Sequence, residues 1–232
     1  MTSLPRYAIY YAPAEGSALD RFGTHLLGYD AWAGKDIAFA KGAVDAVSDW
    51  PELTEDARKY GFHATLKAPF YLADDRSEDQ LRQTCAAFAV TARALPQIRP
   101  VVDAISGFIA VIPGDPSPEL QQLAADCVQA FEPFRAPLSA DDRARRKPER
   151  MTPRQLEYLD RWGYPYVMEE FRFHMTLTCR LDAERRVSIL AMLRERFAVL
   201  GLERLAIDRI ALFKQDDASA RFRIIQSWAL AY

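Results

Sequence analysis

Apolar and polar positions along the 232 residues follow two spacings, which together predict a mixture of strands and helices. Short runs rich in aromatic and β-branched residues predict strands at residues 7–12, 62–66, 101–112, 172–178, 205–213 and 221–228. Apolar residues three and four positions apart predict helices beginning after Ser17 and at residues 77–94, 118–131, 153–162 and 182–200. Pro69 is expected to end the second strand, and residues 28–58 show neither spacing clearly.

The order of these elements is repeated. A strand, a helix and a strand follow one another in residues 62–110, and the same three elements recur in residues 173–215. The third elements, PVVDAISGFIA and LAIDRIALFKQ, align without gaps so that Asp103 matches Asp208. A supersecondary unit repeated in the same order indicates an internal duplication. Two facing β-α-β units would bring their first strands together about a pseudo-twofold axis.

We therefore expect one bilobal domain over residues 1–232, with approximate repeat halves 1–115 and 116–232. Residues 132–170 are expected to form an insertion, because the composition changes there to charged, proline-marked sequence such as FRAPLSADDRARRKPER. In a two-lobed protein, such an insertion is expected to lie at the rim of the cleft.

The first strands of the two units carry the same pentapeptide. GFHATLKAPF and RFHMTLTCRL share Phe-His-x-Thr-Leu, although the chain contains only three histidines. Alternate residues of a strand point to the same face, so His63 lies beside Thr65 and His174 lies beside Thr176. The third histidine, His25, falls in a helical pattern and is interpreted as structural. If the units face each other, one cleft holds two imidazoles and two hydroxyls.

Two imidazoles in one cleft can hydrolyse a phosphodiester, because imidazole titrates near neutral pH. One ring takes a proton from water while the other gives a proton to the departing sugar oxygen. The threonine hydroxyls can donate hydrogen bonds to the non-bridging phosphate oxygens, where charge accumulates. The two histidines have such similar local sequences that the acid and the base are not distinguished. A purely structural pentapeptide is the alternative, but packing does not require His and Thr in both copies.

Composition limits the class of protein. Thirty Lys and Arg residues against thirty-two Asp and Glu residues give a formal net charge of −2, which argues against binding long nucleic acid mainly by electrostatics. No apolar stretch approaches the roughly 20 residues that cross a bilayer, and the N-terminal sequence does not resemble a secretory signal. Three separate cysteines fit neither a disulfide framework nor a Cys-based zinc site. We expect a cytoplasmic monomer that binds no membrane.

The paired His-x-Thr motifs resemble those of the 2H phosphoesterases, which include bacterial 2′-5′ RNA ligases and cyclic nucleotide phosphodiesterases. The segments RYAIYYAP, YGFHATLKAPF, RWGYPYV and FRFHMTLTCRL look like a branch described as phosphonate-metabolism proteins. The resemblance implies a bilobal α+β fold, with antiparallel sheets facing a central cleft. It also implies chemistry on phosphodiesters without a metal or cofactor. By motif match, the catalytic roles fall on His63, Thr65, His174 and Thr176.

Six further residues are predicted to contact a small phosphorylated substrate: Tyr10, Lys67, Arg135, Arg146, Tyr166 and Arg172. Strand alternation from Thr65 would keep Lys67 on the catalytic face. Tyr10 could stack on a base or sugar, or fill the core. Arg135 and Arg146 belong to the one locally basic stretch of the chain, from which an arginine could grip a terminal phosphate.

The sequence predicts a phosphodiesterase acting on a small cyclic or diester phosphate, and the resemblance adds a phosphorylated ribose from phosphonate breakdown as its substrate. One alternative is processing or ligation of RNA ends that carry a 2′,3′-cyclic phosphate, although the insertion departs from the RNA-processing members. Another alternative is a non-catalytic nucleotide binder. A metal hydrolase is less well supported, because two strand histidines without a carboxylate motif make a poor metal site.

Overall fold

The structure is a computed structural model that describes residues 4–232. Its strands are β1 Arg6–Tyr11, β2 Tyr29–Asp30, β3 Lys35–Asp36, β4 Ala64–Tyr71, β5 Gln97–Ile98, β6 Pro100–Ile105, β7 Phe108–Pro113, β8 Met175–Thr176, β9 Leu205–Ala206, β10 Arg209–Gln215 and β11 Arg223–Ala229. Its α-helices are α1 Ala18–Leu27, α2 Lys41–Ala46, α3 Trp50–Leu53, α4 Glu55–Arg58, α5 Glu78–Ala89, α6 Pro118–Ala130, α7 Ala140–Arg145, α8 Pro153–Trp162 and α9 Ala183–Ala198. Short 3-10 turns cover Glu132–Phe134, Pro148–Arg150 and Met168–Glu170.

One antiparallel sheet organises the molecule. Seven strands lie in the order β11-β10-β1-β4-β8-β7-β6, and every neighbouring pair is antiparallel. Two small ribbons, β2-β3 and β5-β9, complete the strand pairing. The predicted α+β class with antiparallel pairing is therefore confirmed. Pairing of β4 with β8 joins the strands of the two predicted halves into one continuous sheet.

Six of the seven strands are related by an approximate twofold symmetry, in which β4 corresponds to β8, β1 to β7 and β10 to β6. Along one side, Ala211 of β10 pairs with Tyr10 of β1, and Tyr10 pairs with Thr65 of β4. Along the other side, Asp103 of β6 pairs with Ala110 of β7, and Ala110 pairs with Thr176 of β8. The two series match strand for strand about an axis between β4 and β8.

This matching corrects the alignment of the two repeats. If Thr65 is equivalent to Thr176, the strand registers make Asp103 equivalent to Ala211. The gapless match of Asp103 to Asp208 is therefore wrong by three positions. The gapless alignment fails because it runs across the β6-β7 turn at Ser106 and Gly107, whereas β10 is one continuous strand. The proposed division at residues 115 and 116 stays a prediction.

The symmetry makes β7 the counterpart of β1, so β7 begins the second unit and the outer strands β6 and β10 are exchanged between the two units. β6 follows β4 and α5 in the chain but pairs with β7, while β10 follows β8 and α9 but pairs with β1. The helices are exchanged in the same way. Helix α5 packs on β10 and β11, and helix α9 packs on β6 and β7. Each side of the sheet therefore contains elements from both units.

The observed helix starts agree well with the predicted ones, because a helix cap is formed by residues only a few positions apart in the sequence. The Ser17 hydroxyl accepts a hydrogen bond from the Asp20 amide, and Thr152 forms a capping box with Gln155 at the start of α8. Strand limits agree less well. The predicted strand 101–112 is the β6-β7 hairpin, with positive φ angles at its two-residue turn. β4 continues through Pro69, and β8 is only two residues long.

The hidden faces of the two motif strands form the core beneath the site. Phe62, Ala64 and Leu66 are buried, as are the corresponding Phe173, Met175 and Leu177. Helix α1 approaches the first motif so closely that a Cβ at Gly23 would lie 2.0 Å from the Phe62 ring. Within residues 4–232, no helix is both long enough and apolar enough to span a membrane.

A buried ion-pair network fastens residues 132–170 to the motif strand. Lys67 of β4 donates to Glu132 at 2.7 Å and to the Val128 carbonyl at 3.0 Å. The second carboxylate oxygen of Glu132 accepts from Arg135 at 2.6 Å, and Arg135 also donates to the Arg161 carbonyl beside α8. The Glu132 carboxylate thus links β4 to the start of the insertion and, through Arg135, to α8.

Loss of this carboxylate should be costly. Glu132→Ala leaves the ammonium of Lys67 buried without an anion, so we expect the free energy of unfolding to fall by about 3 kcal/mol in urea denaturation. Lys67→Met should cost less, because Glu132 keeps Arg135. Asp160→Ala, which breaks an exposed pair with Arg143, is the control and should cost below about 1 kcal/mol. Equal losses in Glu132→Ala and Asp160→Ala would contradict the network.

Candidate active site

The pairing of β4 with β8 brings the two motifs side by side. Ala64 pairs with Met175, and in an antiparallel register this sets His63 opposite Thr176 and Thr65 opposite His174. Directly opposed residues are about 5 Å apart at Cα. All four side chains are half-buried, while the residues between them are fully buried. The structure therefore places the four predicted catalytic side chains together on one face of the sheet.

Backbone carbonyls orient both imidazoles. The Nδ1 of His63 lies 2.9 Å from the Gly61 carbonyl, and the Nδ1 of His174 lies 2.7 Å from the Arg172 carbonyl. A carbonyl can only accept, so Nδ1 carries the proton in each ring and the neutral ring has a free lone pair on Nε2. Gly61 can provide this carbonyl from a φ of +76°, a conformation that favours glycine.

The Nε2 of His63 meets the hydroxyl of its own motif threonine. Thr65 Oγ1 lies 3.3 Å from His63 Nε2, so the hydroxyl donates to the free lone pair. The same hydroxyl is therefore available to turn toward a bound phosphate when Nε2 takes a proton. The spacing of His and Thr along the strand produces this contact directly.

Aromatic rings support both histidines. The His63 ring stacks on Tyr10 with centroids 3.9 Å apart and an interplanar angle of 23°. Tyr60 lies 6.0 Å from His63, and Phe108 lies 5.5 Å from His174. Tyr10 is only 1% exposed, so it fixes the His63 ring rather than offering a free face to a ligand.

Both histidines are held in the neutral state. The pKa of His63 is lowered to about 4, chiefly by burial; the bond to the Gly61 carbonyl raises it and the neighbouring His174 lowers it. Burial also lowers the pKa of His174, against the bond to the Arg172 carbonyl. The effect of His174 on the pKa of His63 agrees with the placement of both rings on one face. A bound phosphate would favour protonation of either ring by its negative charge.

A cleft of about 380 Å³ opens beside the motif residues. Thr65 and His174 line it, and the opposite wall comes from α8 and the segment that follows. The other lining side chains with polar groups or aromatic rings are Ser106, Phe108, Gln155, Tyr164, Tyr166, Glu170, Phe171, Arg172 and Arg180. The cleft is therefore bounded by the motif strands on one side and by residues 132–170 on the other.

The additional site predictions divide into two groups. Tyr166 and Arg172 line the cleft, in agreement with their predicted contact with substrate. Arg146 lies 5.1 Å from the ring centroid of the cleft-lining Tyr164. Substrate binding by these three residues stays a prediction.

Three other predictions conflict with the positions of the side chains. Tyr10 is covered by His63, and Arg135 is ion-paired with Glu132. Lys67 is 3% exposed and does not line the cleft, because the β1-β4 register shifts between the pairs Tyr10-Thr65 and Ile9-Lys67. That bulge ends the simple alternation on which the prediction for Lys67 depended.

Several cleft residues were missed by sequence reasoning. Phe108, Gln155, Glu170 and Arg180 reach the cleft from four different segments. Arg180 ends the motif segment FRFHMTLTCRL, and its place beside the second motif could have marked it. The other three become neighbours of the motifs only through tertiary packing. In the part of the chain that is described, no group of three His, Cys, Asp or Glu side chains could hold a metal ion.

A protein-family model described as "Protein of unknown function (DUF1045)" matches residues 65–223. The chain belongs to the DUF1045 family. The match begins at Thr65 of the first motif and includes the second motif and the whole of residues 132–170. Most of the cleft described above therefore lies within the matched region.

Two curated relatives extend the similarity to nearly the whole chain. Both are named "Ribose 1,5-bisphosphate phosphokinase PhnN". The protein from Janthinobacterium sp. (strain Marseille) is 35% identical over 228 residues, which cover 95% of this chain and 49% of that protein. The protein from Laribacter hongkongensis (strain HLHK9) is 34% identical over 232 residues, covering 94% and 50% respectively. This chain thus spans about half the length of these relatives.

Solved structures with a weaker likeness include E. coli LigT complexed with 3′-AMP, with a TM-score of 0.42, 14% identity and coverage of 98% of this chain and 99% of that chain. LigT complexed with NADP+ gives the same TM-score and identity, with full coverage of both chains. A structure titled as a phosphoesterase gives a TM-score of 0.39 and 15% identity, covering 98% and 99%.

The low pKa of His63 should be visible in folding stability. Between about pH 6.5 and pH 4, the unfolded chain protonates this ring and the folded chain does not, so stability falls as the pH falls. We expect about 2 kcal/mol of the free energy of unfolding to be lost from this source between pH 7 and pH 5. His63→Gln should remove that part of the loss. Urea denaturation at both pH values measures it, and an identical loss in the two proteins would show that burial does not depress this pKa.

Proposed function

We propose that the protein is a phosphodiesterase that hydrolyses a small cyclic or diester phosphate by two-histidine acid–base catalysis, without a metal ion. One observation carries the proposal: both motif histidines present Nε2 on the same face of adjacent strands, each with Nδ1 held by a backbone carbonyl. A phosphate between the rings would have a proton acceptor on one side and a proton donor on the other. Neither a structural motif nor a simple binding site requires this symmetry.

His63 is assigned as the base. Its pKa is lowered to about 4, so at neutral pH its Nε2 has a lone pair ready to accept a proton from water. The water oxygen forms a bond to phosphorus as its proton passes to His63. Tyr10, stacked at 3.9 Å, keeps the ring in the orientation that the attack needs.

His174 is assigned as the acid. When protonated beside the bound anion, it keeps its Nδ1–H bond to the Arg172 carbonyl and holds a second proton on Nε2. The bond between phosphorus and the departing sugar oxygen breaks, and that oxygen takes the proton from His174. The product is a phosphate monoester and a free hydroxyl. A proton transferred through solvent from His63 to His174 restores the starting state.

The threonines complete the arrangement. Thr65 lies opposite His174, and Thr176 lies opposite His63, so each hydroxyl is beside both rings. Donation from these hydroxyls to the non-bridging oxygens would stabilise the charge that develops on phosphorus oxygens in the transition state. Thr65 already lies 3.3 Å from His63 Nε2, which places its hydroxyl at the reacting face.

A phosphorylated ribose is the substrate class that we propose. The cleft of about 380 Å³ suits a small ligand, and residues 132–170 form one wall of it. The two curated relatives, about half of whose length matches this chain, carry ribose 1,5-bisphosphate in their name. A cyclic diester that gives this bisphosphate on hydrolysis would carry its ring phosphate on O1 and O2 of ribose and a monoester on O5.

Removal of either imidazole should abolish turnover without unfolding the protein. His63→Ala and His174→Ala are each expected to lower kcat by about 10³-fold or more on a cyclic phosphate substrate, because no other group replaces the base or the acid. His25→Ala is the matched control, since His25 is exposed and its Nδ1 bonds to the Ala38 carbonyl away from the cleft. Near-normal kcat in either motif variant would overturn the assignment.

The substrate panel for this assay separates the rival functions. Ribose and nucleoside cyclic phosphates are compared with oligonucleotides that carry 2′,3′-cyclic ends, in excess chelator. Preference for the oligonucleotides would favour RNA-end processing, and tight binding without turnover would favour a nucleotide binder. Activity that disappears with chelator would contradict a metal-independent reaction.

A further inference from the structure

The arginines of residues 132–170 differ in whether an acid neutralises them. Arg143 pairs with Asp160 at 2.8 Å, Arg135 pairs with Glu132 at 2.6 Å, and Arg154 lies 2.8 Å from Glu157 and 2.6 Å from Glu169. Arg145 pairs with Asp142. Arg146, Arg150 and Arg161 have no side-chain hydrogen bond or ion pair to any residue in the described range 4–232. Arg161 lies over the ring of Trp162, which does not line the cleft, whereas Arg146 lies over the cleft-lining Tyr164.

Arg146 is also held in place rather than free in solvent. Its side chain is half-buried, and its guanidinium carbon lies 5.1 Å from the centroid of the Tyr164 ring. Stacking on an aromatic face uses one side of the planar group and leaves its N–H edges unoccupied. The N–H groups of Arg146 are thus available to a ligand, while the stacked ring limits how far the guanidinium can move.

Tyr164 connects this arginine to the catalytic centre. Its ring lines the cleft together with Thr65 and His174, and its edge meets Tyr166 at a centroid distance of 5.6 Å. Arg146 therefore contacts a ring that lines the cleft.

We propose that Arg146, stacked on Tyr164, binds a second phosphate of the substrate, distinct from the phosphate that is cleaved. This inference rests on the proposed function and narrows it to a small molecule with two phosphate groups. The forked N–H groups of arginine match the oxygens of a phosphate monoester, and charge-assisted bonds of this kind are the strong ones. Such a subsite belongs to residues 132–170 and not to either repeated motif.

Calorimetry with two sugars tests the subsite. Ribose 1-phosphate carries one phosphate and ribose 1,5-bisphosphate carries two, so wild-type protein should bind the bisphosphate about 10- to 100-fold more tightly. Arg146→Ala should bring the affinity for the bisphosphate down to that for ribose 1-phosphate and leave the latter unchanged. Arg143→Ala, three residues earlier in the chain but paired with Asp160, should keep the full preference.

The outcomes separate this inference from the proposed function. Arg146-dependent preference for the bisphosphate, without hydrolysis of any cyclic phosphate, would reject the reaction and support the subsite. Hydrolysis with equal affinity for the two sugars, or with a preference that persists in Arg146→Ala, would reject the subsite and support the reaction. Equal weakening of both sugars by Arg146→Ala, or failure of both to bind wild-type protein, would also reject it.

Discussion

The pairing of Ala64 with Met175 is the contact on which the rest of the structure depends. It joins β4 to β8, merges the strands of two units into one sheet, and sets each histidine opposite the threonine of the other motif. The buried residues of both strands hold this junction from below. Because side chains alternate along a strand, one pairing register determines the position of all four reactive groups at once. A shift by one residue would send them into the core.

Local signals predicted what depends on a few consecutive residues. The Thr152 capping box and the His-x-Thr pairs are of this kind, since a cap or a shared strand face is decided within four positions. Features decided by distant partners were not predictable in this way. The bulge that turns Lys67 away from the cleft depends on pairing with β1. Whether Arg135 or Arg146 remains free to bind a ligand depends on which of them forms the ion pair with Glu132. The α+β class followed from the pattern of elements, whereas the exchange of outer strands did not.

Residues 132–170 act as a wall because they are anchored at the motif strand itself. Glu132 binds Lys67 two positions after Thr65, and Gln155 of α8 donates to Glu170 at 2.9 Å beside the cleft. Buried ionic contacts add little net stability but strongly disfavour alternative arrangements once one partner is in place. Tyr164 and Tyr166, which line the cleft together with Thr65 and His174, belong to this anchored segment. In the proposed function, the motif strands supply catalysis and residues 132–170 supply selectivity for the ligand.

The exchange of β6 and β10 has a consequence for how the molecule could be divided. Cleavage of the exposed turn between β6 and β7 would yield two fragments, each contributing a strand to the other's side of the sheet. Neither fragment alone could satisfy the hydrogen bonds of its open sheet edges, but mixing them should reconstitute the whole. An ancestral single copy would have met the same constraint. It would have been obliged to associate as a strand-swapped homodimer, with one histidine of the cleft donated by each subunit.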